Sequence, residues 1–589
     1  MHRTTETAQA QSPTTTHVDA VVIGSGLAGL TTAAGLAAHG HSVVVLEQYS
    51  VVGGSTHVFR RKGTWEWEVG VHHLADCGFG GDMPTILRGF GIGPDQLTFR
   101  RMADNGYERL VFPDLVFDTP TDWSLYVARL VEAFPHDEKR IRRFMRIVRR
   151  VGEAVDRGPA TASASGVARA AREMGVAAPL AALPLKRVFD LFGIDPRMQT
   201  LMSVSPCGSI NAPPSRLPFA AFCVFYERFV RGGSWFPEGG GQMLSATLLQ
   251  ALEHLGGTVL TNESVEEILV DGGAVHGVRT ASGRTFSSPL VVSTADVKKT
   301  YAELLPAGAV PHRDLDRVDD YRMSQAFFNA FIGVDVDLAA QHPNRDHFSM
   351  PTWTTYDEMD RLTAYREGES AEAWLERVEP IAPAYVHVSN LKDPHNQRYA
   401  PQGSSSLEVM LPIGCDYRLW SSAPARTRGH EYRDEDDYQY LKQGLTAAMI
   451  DRATTVFPEI DGHVVHQEAA TPLTQERFTQ STAGASYGIE LNTRQFSIRR
   501  PGPRTSVKGL FLSGASCRPG PTTEGVLHSG IQTVDAITGS NLLADFRQGR
   551  ALVAPGTLPN NDQDWDALEY SRVGSRRSRS SDDADAETS

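Results

Sequence analysis

Two adjacent histidines and a cysteine, His72, His73 and Cys77, sit in the glycine-rich stretch EVGVHHLADCGFGG, residues 68–81. Imidazoles and a thiol in one short run can ligate a metal, carry a covalently attached group, exchange protons at a cavity wall, or fill a core. Metal ligation fits worst. Neighbours on an extended chain point to opposite faces, and no third histidine or carboxylate nearby completes a ligand set. Nothing positive supports a covalent link through His72, His73 or Cys77. Proton exchange at a cavity wall is the expectation, with a satisfied core histidine as the alternative; His72 is the first candidate, and His73 is expected to point the other way. Two more groups of the same kind, Glu524 and His528, flank the start of a helical stretch near the C-terminus. Glu524 also reads as a first-turn helix acid and His528 as a structural histidine.

The elements that would position these residues begin at HVDAVVIGSGLAGLTTAAGLAAHGHSVVVLEQ. A β-branched strand runs to Ile23, small and apolar residues then recur at helical spacing, and a second strand ends at Leu46 before Glu47. Between strand and helix, Gly24, Gly26 and Gly29 form G-x-G-x-x-G, with Leu27 and Ala28 opening the helix. Glycines at this spacing allow a tight turn, backbone approach to a pyrophosphate, and close helix–sheet packing. The helix N-terminus offers free N–H groups to the phosphates. Glu47, with Gln48 beside it, is placed to accept from the adenosine ribose. The unit is complete, so an adenine dinucleotide is expected.

The chain just past Glu47 selects the flavin. EQYSVVGGSTHVF sets Gly53, Gly54, Ser55 and Thr56 a few residues beyond the acid, and this arrangement resembles the two-domain FAD oxidoreductases. Three further segments resemble the branch holding phytoene desaturases, carotenoid isomerases and retinol saturases. The first is WFPEGGGQM through VVSTAD, residues 235–296, with Pro237, Gly239, Gly240, Val265 and Asp296 in the family's order; the resemblance puts the Val265 backbone against adenine. The second is GLFLSGASCRPGPTTEGVLHSGIQTVDAI, residues 509–537, which resembles the closing flavin motif and carries Gly514, Gly525 and Val526. A helix N-terminus beside a reduced, anionic flavin is physically sensible there. Ser516 and Cys517 depart from the usual acidic or Thr residues. The third is Gly70, Val71 and His72, which matches G-[IV]-H-Y of retinol-saturase-like proteins, with His73 where Tyr is usual.

The resemblance implies an α/β fold: a Rossmann-type FAD-binding domain assembled from residues 17–100, 235–300 and 505–552, and an α+β substrate domain from 101–234 and 301–504, in an amine-oxidase-like arrangement. It implies an FAD-dependent oxidoreductase acting on carbon–carbon double bonds of a hydrophobic polyene or isoprenoid, as saturase, desaturase or isomerase. An amine-oxidase-like flavoenzyme and a non-redox prenyl-lipid escort are the alternatives. No second dinucleotide fingerprint is present, so the electron partner stays open among NAD(P)H, a quinone and oxygen.

Composition agrees with this class. At 589 residues the chain exceeds the roughly 250–300 at which one core stops growing. Hydrophobic residues at 41% and charged ones at 22% suit a globular protein, and a formal charge of -13 argues against nucleic acid. Five scattered cysteines without a C-x-x-C pair point to a reducing compartment. No signal peptide or membrane span is read, so a cytoplasmic protein is expected. KRIRRFMRIVRRV, residues 139–151, puts Ile141, Phe144, Val148 and Val151 on one helical face and basic residues on the rest. That pattern suits peripheral membrane contact, or equally a solvated helix with its apolar stripe in the core. Residues 1–16 and 553–589 are polar and aperiodic and are expected to be disordered tails.

Overall fold

The β-branched runs AVVI and VVVL form the strands Ala20–Ile23 and Val43–Leu46, buried on both faces as a covered parallel sheet requires. They belong to a five-stranded parallel sheet in the order Thr258–Leu260, Val43–Leu46, Ala20–Ile23, Val291–Ser293, Leu510–Leu512. In this computed structural model, which describes residues 15–78, 80–156, 164–421, 431–562 and 564–574, the sheet thus draws on the start, middle and end of the chain. The helix Leu27–Ala38 packs on the helix Thr523–Thr538 through glycines. A Cβ on Gly35 would stand 2.6 Å from Val534, and one on Gly530 would stand 2.8 Å from Thr31.

The second half is a seven-stranded mixed sheet in the order Val464–Ala470, Ala326–Val334, Ser405–Ile413, Ala384–Val388, Asp346–Ser349, Glu108–Phe112, Leu115–Thr119. Alternation along Ala326–Val334 separates its faces. Phe328, Ala330 and Ile332 join a core with Trp374 and Leu441 from the helices Ala371–Val378 and Asp436–Val456. Phe327, Asn329 and Phe331 face the other way, into a cavity shared with the nucleotide half. Helices including Glu138–Asp156, Pro196–Ile210 and Phe219–Tyr226 close the far end.

Of the two alternatives for residues 139–151 the structure has the one with the stripe in the core, and one further reading, of the C-terminal tail, is corrected. The apolar stripe of Glu138–Asp156 is unavailable to lipid: Ile141, Phe144, Val148 and Val151 are at most 1% exposed, with Phe144 packed on Phe189, Phe219 and Phe222. Part of its basic face is paired within the helix, Arg142 with Glu138 and Arg149 with Glu153, each at 2.8 Å. The C-terminal segment is also not a free tail as far as residue 574. Val553, Leu558, Leu568 and Val573 are buried, and Ser571 bonds Gln242 through its side chain and the Val52 N–H through its carbonyl. Val553, Leu558 and Val573 reach the core of the nucleotide half and Leu568 a small cluster with Val51 and Val58, along a largely irregular path that leaves no periodicity in the sequence. Residues 1–14 and 575–589 lie outside the described residues, and Thr15–His17 is a strand paired with Thr285–Ser287.

Candidate active site

A cavity of about 1640 Å³ runs along the junction of the two halves, larger than the ~300–1,000 Å³ typical of a small-molecule pocket. Its nucleotide end is built from backbone. Gly24 has φ +95°, and a Cβ there would strike Thr294 at 2.5 Å. A Cβ on Gly29 would lie 2.1 Å from the Gly24 carbonyl oxygen, so this glycine lets the helix approach the turn and does not face the cavity. Gly26 meets nothing within 4 Å: the space beside it is open. Gly26 is also the N-cap of Leu27–Ala38 and caps it with no side chain, which leaves first-turn N–H groups to an outside acceptor. Gly53 (φ +135°) and Gly54 (φ +56°) pass directly over Gly26. This cradle fits a pyrophosphate.

The remaining sequence-derived contacts line the same cavity: Leu27, Ala28, Glu47, Gln48, Ser55, Thr56, Val265, Gly514, Gly525 and Val526. Glu47 is held at the strand end by the Ser25 N–H (2.9 Å), the Ser25 hydroxyl (2.7 Å) and the Tyr49 N–H (2.8 Å). A second helix N-terminus, that of Thr523–Thr538, opens on the cavity with Thr522 as N-cap. Cys517, by contrast, is buried in a separate apolar cluster and is not on the wall.

Beyond the cradle the walls turn apolar and aromatic, with Val224, Phe225, Phe229, Phe348, Tyr356 and Tyr385 among them. His72 and His73 stand where the two parts meet, and here geometry departs from the sequence reading. The residues around them form no regular strand, so alternation does not apply. Both imidazoles line the cavity and both lie edge-on to Tyr385, at 5.7 and 5.8 Å between ring centroids.

Their surroundings differ. His72 is half-buried and packs against His387 at 4.8 Å, and its buried Nε2 has no hydrogen-bond partner. Burial first, then His387 and Lys392, push it well below the usual histidine range, so it stays neutral. That makes it a poor proton donor, and an orphaned nitrogen of this kind awaits a bound group. His73 instead pairs through Nδ1 with Asp346 Oδ2 at 2.9 Å, and the Tyr385 hydroxyl lies 3.2 Å from the same nitrogen. Asp346 is fully buried; although burial opposes its charge, Lys392, His387 and His73 hold it well below the carboxylate range. Its other oxygen is in an ion pair with buried Lys392, which also donates to the His72 carbonyl and to His387 Nδ1.

The other two proposed acids have partners of their own. Glu524 forms an ion pair with Arg228, which also pairs with Asp156 at 2.8 Å. His528 lies 3.3 Å from Asp82. Despite burial, His528 and Arg547 hold the Asp82 carboxyl far below its ordinary value. Both residues touch the cavity, yet their polar atoms knit elements together. Among the described residues, no group of three or more His, Cys, Asp or Glu is placed to hold a metal ion, and no helix is long and apolar enough to cross a membrane.

Sequence reasoning missed Asp346, Tyr385, His387 and Lys392, which no motif marks. A signal existed: in AYVHV, Tyr385 and His387 sit two apart on one strand face, amid otherwise apolar residues.

A βαβ glycine cradle joined to a mixed-sheet domain across one long cavity is the architecture of a two-domain flavoenzyme. The family model for flavin containing amine oxidoreductases matches residues 27–538, and the chain belongs to that family. Its cofactor is FAD, and it is an FAD-dependent oxidoreductase. More particular likenesses are to an all-trans-retinol 13,14-reductase of Danio rerio, 24% identical over 522 residues covering 84% of this chain and 82% of that protein. A chloroplastic prolycopene isomerase of Arabidopsis thaliana is 22% identical over 539 residues, covering 87% and 81%. Among solved structures, putrescine oxidase bound to putrescine is 14% identical with a TM-score of 0.59, covering 90% of this chain and all of that one. Cyclohexylamine oxidase from Brevibacterium oxydans gives 13% and 0.53, covering 90% and 99%. These two likenesses concern the fold.

Proposed function

We propose that this oxidoreductase acts on a carbon–carbon double bond of a hydrophobic polyene or isoprenoid of the retinoid or carotenoid kind. The observation that carries the reading is the aromatic and aliphatic part of the cavity, which shares one volume of about 1640 Å³ with the nucleotide cradle. The retinol reductase and prolycopene isomerase among its relatives support the same substrate class. FAD, when bound, supplies hydride transfer to or from carbon. Gly24, Gly26, Leu27, Ala28 and Gly53 to Thr56 would hold its pyrophosphate and neighbouring chain, Glu47 and Gln48 the ribose, and Val265 the adenine. Gly514, Gly525 and Val526 would lie along the ring system. Phe225, Phe229, Phe348 and Tyr356 would bind the polyene and exclude water from it.

The test is anaerobic. Photoreduced holoenzyme is mixed with all-trans-retinol, prolycopene or phytoene, and flavin absorbance is followed; oxidised holoenzyme is mixed with the same polyenes and with putrescine. Return of the oxidised spectrum with a polyene, and a saturated product by mass, is the expected result. Bleaching by putrescine together with indifference to every polyene would replace the proposal with an amine oxidase. Binding of polyene with neither a change of flavin spectrum nor any reduced, oxidised or isomerised polyene among the products would replace it with a carrier.

A further inference from the structure

We propose that His73 is the proton donor to the substrate, and that Asp346 and Lys392 are positioning residues that set its tautomer and hold it in place. The inference rests on the reading of the protein as a polyene oxidoreductase. A double bond that is saturated gains a hydride on one carbon and a proton on the other. The hydride comes from reduced flavin, which is oxidised; the π bond breaks, and its electron pair, left on the second carbon, takes the proton. That carbon needs an acid at the cavity wall that can part with a proton and recover it from water once product leaves.

Of the four acids near the cavity junction, His73 alone is arranged for this. Its Nδ1–H points at Asp346 Oδ2, so Nε2 is the nitrogen left for the cavity that the ring lines. A carboxylate behind an imidazole fixes which nitrogen faces the cavity, and a proton taken up from water on Nε2 is the one passed to the substrate carbon, the Nδ1 proton staying on the ring. The carboxylate is itself anchored, because Asp346 Oδ1 is paired with Lys392, which also donates to the His72 carbonyl and His387 Nδ1 and lies over the Phe236 ring at 5.5 Å. The ring is wedged edge-on between Phe229 at 5.1 Å and Tyr385 at 5.8 Å, which leaves it little freedom to swing. Tyr385 adds its hydroxyl to the same cluster, 3.2 Å from Nδ1. Lys392 shares its proton with no substrate: it is fully buried and does not line the cavity. His72, one residue away, has the opposite setting, facing Lys392 and His387 with no carboxylate on its own nitrogen.

The experiment compares parent, His73→Gln, His73→Gly and Asp346→Asn holoenzymes, photoreduced and then mixed with all-trans-retinol in deuterium oxide. His73→Gln should retain FAD and photoreduction but return to the oxidised spectrum about 10²- to 10⁴-fold more slowly, the range a general acid contributes. Added imidazole should restore much of the rate to His73→Gly, and only to it, which a structural role would not allow. Deuterium should enter the product at one carbon. Parent-rate reoxidation by His73→Gln overturns the proposal. If Asp346→Asn fails to fold, Asp346→Asn/Lys392→Met, which leaves no unpaired charge, takes its place. A separate measurement does not need the substrate: histidine-labelled 15N spectra of the holoenzyme should show His73 protonated at Nδ1, with that signature lost in the Asp346 variant. A His73 protonated at Nε2 alone overturns the proposal. If no polyene reoxidises the parent, the substrate class falls, and the spectra still judge the dyad.

Discussion

The two ends of the cavity are built on opposite principles. The nucleotide end is made of backbone: glycines with positive φ or no room for a Cβ, and two helix N-termini. The far end is made of side chains, with a fully buried Asp346–Lys392 pair and two histidines among aromatic rings. The first should tolerate most side-chain changes that leave the glycines alone. The second should tolerate backbone-neutral changes poorly, because removing one charge strands another in a dry interior.

The largest expected effect is at the first end. Gly26→Val puts a branched side chain into the open space beside the turn and should abolish FAD retention while the apoprotein stays folded, measured by flavin content and circular dichroism. Full flavin occupancy in that variant would mean the cradle lies elsewhere. At the other end, Asp346→Asn should cost about 3–5 kcal/mol in chemical denaturation, since Lys392 is left buried without its carboxylate. Glu408→Gln should cost under about 1 kcal/mol although Glu408 is equally buried, because burial keeps its carboxyl protonated and the Glu68 N–H still finds an acceptor. Equal losses at the two positions would erase the distinction between a paired charge and a neutral acid.

A third contrast concerns pH. Burial raises the Glu108 carboxyl to about 7 from 4.5, against the hydrogen bonds of Ser205 and Thr119. A carboxyl raised in the folded state stabilises fully below its unfolded value and loses that contribution as pH climbs through 4.5 to 7. The loss should total about 3 kcal/mol and should vanish in Glu108→Gln. Asp346, held low, has the reverse sign, with its contribution lost in acid as pH falls through the depressed value. The smallest effect belongs to the basic face of Glu138–Asp156. Arg146→Gln should change stability by no more than about 0.5 kcal/mol, while Phe144→Ala on the buried face should cost about 3–5.

The same contrast explains how much the sequence reveals. Gly24, Gly26, Gly29 and Glu47 are legible because their work is local: strand, turn, helix and acid succeed one another, and the residues that matter are neighbours in the chain. The helical stripe of residues 139–151 is legible as a helix but not as to its partner, since an apolar face looks alike whether protein or lipid covers it. His73 is visible, but alternation gives it the wrong direction, because its segment is not a strand. Asp346 and Lys392 carry no signature at all, and Tyr385 carries only its place two residues from His387 in an otherwise apolar strand. They are ordinary in sequence and acquire meaning only when antiparallel pairing sets Asp346–Ser349 beside Ala384–Val388, with Lys392 on the short helical turn after it.

The sheet that holds the cradle takes its last strand from Leu510–Leu512, and residues 553–574 join the same half, with Ser571 accepting from Gln242 and from the Val52 N–H. On the ribosome, where the N-terminal part of a chain emerges first, this half is therefore the last to be finished even though it is the first to be started. The strand Ala20–Ile23 must wait, its Val291–Ser293 neighbour in place but the next edge bare, until residues 510–512 have been made. The substrate-half strands Ala326–Val334, Ser405–Ile413 and Val464–Ala470 are all synthesised before residue 510, so the cofactor meets its completed sheet against a partner domain whose strands are already available.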